Sequence, residues 1–133
     1  MKGYHDDIEK QTTGNSDFRR VLYTGHHLQL VLMNLPAGCD IGSEVHEDRD
    51  QFFRFEEGSG QVDIDDNTYD VEDGSGIIVP AGARHNVRNT GDRPLKLYTL
   101  YGPPEHRDQV VQSTKADAEA RHHAEEWDGR VTE

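Results

Sequence analysis

The sequence predicts an all-β sandwich or barrel, and three observations predict it. Short β-favouring segments succeed one another from residue 18 to residue 101; Gly, Pro, Asn and Asp separate them; and no long amphipathic helix interrupts the series. The last point argues against a layout of parallel strands with crossover helices. A length of 133 residues suits one domain and leaves little room for a second.

The elements follow in order. Residues 1–17 are polar, with Thr12-Thr13-Gly14-Asn15 as a turn signal, and read as an arm that pairs with another strand or another subunit. Residues 18–24 favour a strand, apolar from Val21 to Tyr23. After Gly25-His26-His27 a second strand spans 28–35 and is closed by Pro36-Ala37-Gly38. The Phe-bearing stretch 51–57 turns at Gly58-Ser59-Gly60 into 61–64, and Asp65-Asp66-Asn67 is a hairpin turn into 68–71. Gly74-Ser75-Gly76 precedes Ile77-Ile78-Val79, which Pro80-Ala81-Gly82 ends. Residues 85–89, a turn at 90–94 and residues 95–101 complete the run, and Pro103-Pro104 stops it. Beyond, Ser113 or Thr114 caps a helix running to about Trp127, with Asp128-Gly129 as its end. The chain thus divides into an N-terminal arm (1–17), a barrel (18–102) and a C-terminal extension with a helix (103–133).

Charge narrows the partners. Twenty-six acidic residues against 14 basic ones give a formal net charge of -12. Such a surface repels phosphate backbones and acidic lipid, so neither nucleic acid nor a membrane is an expected partner. Abundant Asp with scarce Lys fits either salt adaptation or plain solubility. Cys39 is the one cysteine, so no internal disulfide forms and a reducing, cytoplasmic setting is expected. No signal-peptide core or membrane-spanning apolar run is present.

Two stretches carry the chemistry. Glu44 and His46 are separated by one residue, so a strand points both side chains to one face. Gln51 opens the next strand after a short link, and a hairpin-like approach brings it beside them. In the second stretch a strand ends at a Pro-Gly turn that delivers His85 to the start of the returning strand. Two imidazoles, a carboxylate and an amide oxygen converging from rigid supports suit one divalent transition ion, with Mn, Fe, Co, Ni, Cu and Zn all compatible. Four such ligands leave positions open for water or substrate. Phe53 and Phe55 share parity with Gln51 and point inward, as core or as the apolar wall of a substrate pocket; Tyr98 is a further pocket candidate, its hydroxyl available to a substrate. Adjacent histidines diverge, so His26-His27 and His122-His123 read as solvated pairs, as does Glu105 on a solvated face. Asn89 reads as a turn-stabilising side chain.

The two stretches resemble the two motifs of the cupin superfamily. The first motif runs glycine, five residues, His, one residue, His, three or four residues, Glu, six residues, glycine; Gly38, Glu44, His46, Gln51 and Gly58 fall on those places. The second runs glycine, five residues, Pro, one residue, Gly, two residues, His, three residues, Asn; Gly74, Pro80, Gly82, His85 and Asn89 match it without a gap. Glu44 replaces the usual first His and Gln51 the usual Glu, so one carboxylate is kept but moved. The resemblance, closest in kind to small single-domain cupins similar to mannose-6-phosphate isomerase, implies a jelly-roll barrel (double-stranded β-helix), a homodimer, and a metal held by Glu44, His46, Gln51 and His85. It leaves two functions open. One is a metal-dependent enzyme, of isomerase or dioxygenase type, acting on a small polar molecule such as a sugar or an oxygenated acid, with Glu44 as general base. The other is a non-catalytic module that binds or senses a small molecule or metal.

Overall fold

Punctuation by glycine, proline and acidic turns sets the strand lengths, and two-residue alternation decides which side chains meet inside. The computed structural model describes residues 1–133. In chain order the elements are α1 (Ile8–Thr13), β1 (Arg19–Thr24), β2 (Gln29–Leu35), β3 (Glu44–Val45), β4 (Asp50–Glu57), β5 (Ser59–Ile64), β6 (Asn67–Glu72), β7 (Gly76–Val79), β8 (Arg84–Arg88), β9 (Leu95–Gly102), β10 (Val111–Gln112) and α2 (Lys115–Ala120). A six-stranded sheet is ordered β10-β1-β2-β9-β4-β7 and faces a four-stranded sheet ordered β3-β8-β5-β6. Every pairing is antiparallel, and the two sheets form the jelly-roll barrel.

Alternation is cleanest on β9, where Leu95, Leu97, Thr99 and Tyr101 are buried and the residues between them are half-exposed. Their inward side chains pack with Val31, Met33, Phe53, Phe55, Val62 and Val87 into one core. The expected hairpin at 65–66 forms as a two-residue loop: Ile64 pairs with Asn67, and Asp65 takes φ 49°, a left-handed conformation that Asp tolerates. Gly58 has φ +92°, and a Cβ there would stand 2.5 Å from the Pro94 carbonyl oxygen, so the chain reversal before β5 requires glycine.

The ends of the chain depart from expectation. The stretch expected as a pairing arm instead forms α1, N-capped by Asp7, whose carboxylate accepts from the Lys10 N–H. The helix lies on the outer face of β2, β4 and β9 and buries Thr12. The C-terminal helix begins at the expected cap, Thr114, but ends at Ala120 rather than near Trp127; turns replace its second half. Its apolar stripe is too thin to bury more than Ala118. β10, not anticipated, adds two residues to the sheet edge beside β1. No helix is long and apolar enough to cross a membrane.

Behind the barrel mouth, His106 is buried. Its backbone N–H donates to Gln29 Oε1 at 3.0 Å, Gln29 Nε2 donates to its carbonyl at 2.7 Å, and its Nε2 lies 3.3 Å from the Tyr101 hydroxyl. Burial, with the nearby Arg19 charge, pushes its pKa well below the ordinary value. The folded chain therefore holds His106 neutral where the unfolded chain protonates it. The contribution of His106 to stability is full above about pH 6.5 and falls below it by about 1.4 kcal/mol per pH unit until the folded-state pKa is reached. Urea unfolding across this range is expected to give a slope that is smaller by that amount in His106→Gln than in the parent; equal slopes would disprove the assignment.

Candidate metal centre

Register builds the centre. Glu44 on β3 is the direct cross-strand partner of His85 on β8, so the two side chains rise from one sheet face as neighbours. His46, two residues beyond Glu44, keeps the same face. Its carbonyl accepts from the Gly82 N–H at 2.9 Å, which ties the turn before His85 to the end of β3. Gly82 holds φ +89° in that turn, a backbone state that favours glycine. Ligating atoms of Glu44, His46 and His85 all lie within 4.8 Å of one another. The imidazole rings of His46 and His85 are 5.3 Å apart.

In both imidazoles Nδ1 has an oxygen neighbour elsewhere, which leaves Nε2 for this point. His85 Nδ1 lies 3.2 Å from the Ala83 carbonyl oxygen. His46 Nδ1 lies 3.4 Å from Glu105 Oε2, and Arg49 Nε stands 3.0 Å from the same oxygen. This is the carboxylate-behind-histidine arrangement that orients metal-binding imidazoles. His46 Nε2 is 3.0 Å from Glu44 Oε2, yet it is buried without an aligned hydrogen bond. The two groups stand side by side toward a shared point.

Gln51 enters from the opposite sheet on β4. It is 3% exposed, and its Nε2 donates to Thr99 Oγ1 at 3.0 Å. That bond fixes the amide and leaves Oε1 buried with no donor. A buried carbonyl oxygen without a partner is costly, and a cation would satisfy it. The donor set fits a divalent transition ion: two imidazole nitrogens, a carboxylate oxygen and an amide oxygen.

Electrostatics fit the same reading. Burial works against ionisation of Glu44, but His46 beside it, with Arg19 and His85 beyond, outweighs this and holds its pKa below the ordinary value. Burial likewise opposes charge on His46, and the carboxylates of Glu44 and Glu105 overcome it and raise its pKa. His85 is held neutral by burial, the form that binds metal. Burial raises the pKa of Glu105 and, more strongly, that of Tyr101.

Glu44 and His46 border a cavity of about 520 Å³ whose wall also includes Arg19, Ile41, Glu105, Lys115 and His122. Phe53 and Phe55 take the core alternative of their two readings, while Tyr98 and Glu105 depart from expectation. Phe53 and Phe55 are 1% and 0% exposed and belong to the core; their rings stack on each other, and Phe53 reaches the ring of His85 at 6.2 Å. Tyr98 lies on the outer face of β9 against Phe52, because the inward parity belongs to Thr99 and Tyr101. Glu105, expected on a solvated face, is turned inward onto His46. The buried Arg19 has no motif to mark it. His122, His123 and Glu126 also gather their ligating atoms within 4.8 Å, but all three are exposed.

The model of the cupin domain matches residues 31–101. The chain belongs to the cupin family. Relatives extend the similarity beyond the matched segment. The Bacillus subtilis protein YrkC is 48% identical over 120 residues, covering 86% of this chain; this cupin spans 64% of the length of that relative. The crystal structure of BH2720 from Bacillus halodurans superposes with a TM-score of 0.88 at 47% identity, covering 90% of this chain and 95% of that one. The polyketide synthase CurC of Streptomyces cyaneus is 26% identical over 103 residues, covering 73% of this chain and 66% of that protein.

Proposed function

We propose that this cupin is a metal-dependent enzyme, of isomerase or dioxygenase type, acting on a small polar molecule such as a sugar or an oxygenated acid. One observation carries the reading. Glu44, His46 and His85 converge on one point, Glu44 and His46 border a cavity of about 520 Å³, and the Gln51 carbonyl oxygen is buried without a donor. A divalent Mn, Fe, Co, Ni, Cu or Zn ion held by these four residues would supply Lewis acidity toward a substrate oxygen, or redox chemistry in the case of iron or copper. The chain's own groups divide the remaining work. Glu44 is ionised at neutral pH and borders the cavity, so its carboxylate can accept a proton from a bound substrate. Glu105 and Ala83 orient the imidazoles. Phe53 excludes water from the inner side of His85. A cavity of this volume accommodates a small organic molecule.

A second reading, a non-catalytic binding module, is favoured by Gln51 itself. A neutral amide is a weaker ligand than the carboxylate of the family motif. Pairing of two copies, expected of small cupins, is supported by the edge strand β7, whose Ile78 is 69% exposed.

Elemental analysis of protein purified without chelator is expected to give about one transition ion per chain, and Glu105→Gln to weaken metal binding by about 10- to 100-fold. Failure of the parent protein to take up any of the six metals on reconstitution would sink the metal reading. Metal uptake without dioxygen consumption or turnover across sugars and organic acids would favour the binding module.

A further inference from the structure

Arg19 is the one arginine that the fold buries, at 7% exposure. β1 turns it inward with Val21, and it reaches the wall of the same cavity that Glu44 and His46 border. Its partners are all neutral. Nη1 donates to Gln112 Oε1 at 2.8 Å, the Phe18 ring lies 5.3 Å from the guanidinium carbon, and Nε is buried with no acceptor. Arg49, Arg54 and Arg88 each stand within 3.0 Å of a carboxylate oxygen; Arg19 has none at ion-pair distance. Of the three acidic groups on the cavity wall, Glu44 lies beside His46 and Glu105 lies against His46 and Arg49, while Glu119 has no ion-pair partner and none of the three stands at ion-pair distance from Arg19.

A buried cation without a counter-charge is unfavourable unless a ligand completes it. In a chain of net charge -12 a directly paired carboxylate would be easy to supply, yet the carboxylates of the cavity, Glu44 among them, act on Arg19 only from beyond ion-pair distance. The planar guanidinium matches a carboxylate through two parallel N–H donors. We propose that Arg19 binds the carboxylate of a small organic acid that fills this cavity, placing the acid between the guanidinium and the Glu44–His46–His85 cluster. The proposal rests on the metal-dependent reading above and selects the organic acid over the neutral sugar as its substrate class.

The test is a calorimetric titration of the protein, with and without metal, against lactate, pyruvate and succinate, each beside its neutral amide. At least one acid is expected to bind more tightly than its amide, and Arg19→Met to weaken that acid by about 10- to 100-fold while retaining metal stoichiometry. Arg19→Lys, which keeps the charge but not the fork, is expected to fall between. Equal binding of every acid and amide, undiminished binding in Arg19→Met, or preference for inorganic phosphate over every acid would overturn the proposal. Loss of metal in Arg19→Met would overturn it too, by making Arg19 a support of the centre. If the parent takes up no metal, the metal reading fails, while the Arg19-dependent preference is still read in the metal-free protein.

Discussion

His85→Ala is expected to lower affinity for a transition ion by more than about 100-fold, beyond what removal of an orienting partner costs. The reasoning starts from what holds the ring. β8 fixes the backbone beside Glu44, the Ala83 carbonyl engages Nδ1, and burial keeps the imidazole neutral. No rearrangement or proton loss is therefore needed before Nε2 binds. Removing this ring leaves Glu44 and His46 from one strand and the amide of Gln51 from the other sheet. That set lacks its cross-strand nitrogen. Competition against a metal-binding dye measures the loss directly. His122→Ala is the control, since His122 belongs to the exposed cluster with His123 and Glu126. Loss of the ion in His122→Ala, with His85→Ala unaffected, would move the binding site to the exposed turn and away from the barrel.

The parts that were legible in the sequence are those set locally. Gly58, Pro80 and Gly82 mark chain reversals because backbone geometry demands them, and each reversal fixes the strand that follows. The spacing from Gly74 to Asn89 therefore delivers His85 to its position across from Glu44. Asn89 closes the unit by donating from Nδ2 to the carbonyls of Leu35 and Arg93 at 2.9 and 2.8 Å. Parity places Glu44 and His46 on one face, and the motif spacing singles them out. Tyr98 was not readable in this way, and the reason is physical. β9 carries apolar residues at both parities, Leu97 and Tyr101 on one face and Tyr98 and Leu100 on the other, so its pattern does not select the inner face. Cross-strand pairing decides it, through Gln51 with Tyr101 and Arg54 with Tyr98. Glu105 and Arg19 were hidden for a different reason. Glu105 reaches His46 from beyond the paired prolines, and Arg19 enters the cavity from a strand with no motif. Only long-range packing brings either charge to the centre. α1 and β10 are short elements whose formation depends on docking against the barrel rather than on local propensity.

Phe53→Ala is expected to cost about 3–5 kcal/mol of folding stability, a large part of the roughly 5–15 kcal/mol typical of a small domain. Phe53 is 1% exposed, stacks on Phe55 with ring centres 6.4 Å apart, and meets the ring of His85 on its other side. Alanine would leave a void bounded by rigid strands of both sheets, which collapse poorly around it. Tyr98→Ala removes a comparable side chain from the outer face and is expected to cost about 1 kcal/mol. Urea unfolding midpoints at unchanged m separate the two. The contrast distinguishes core from pocket wall. A pocket-lining Phe53 would cost little stability and alter small-molecule binding, and that pattern would contradict the packing described here. Phe53→Leu sharpens the point. It retains much of the buried volume but withdraws the flat ring from His85, so it is expected to preserve most of the stability while weakening metal binding. The metal loss would then trace to the unsupported imidazole rather than to a weakened barrel.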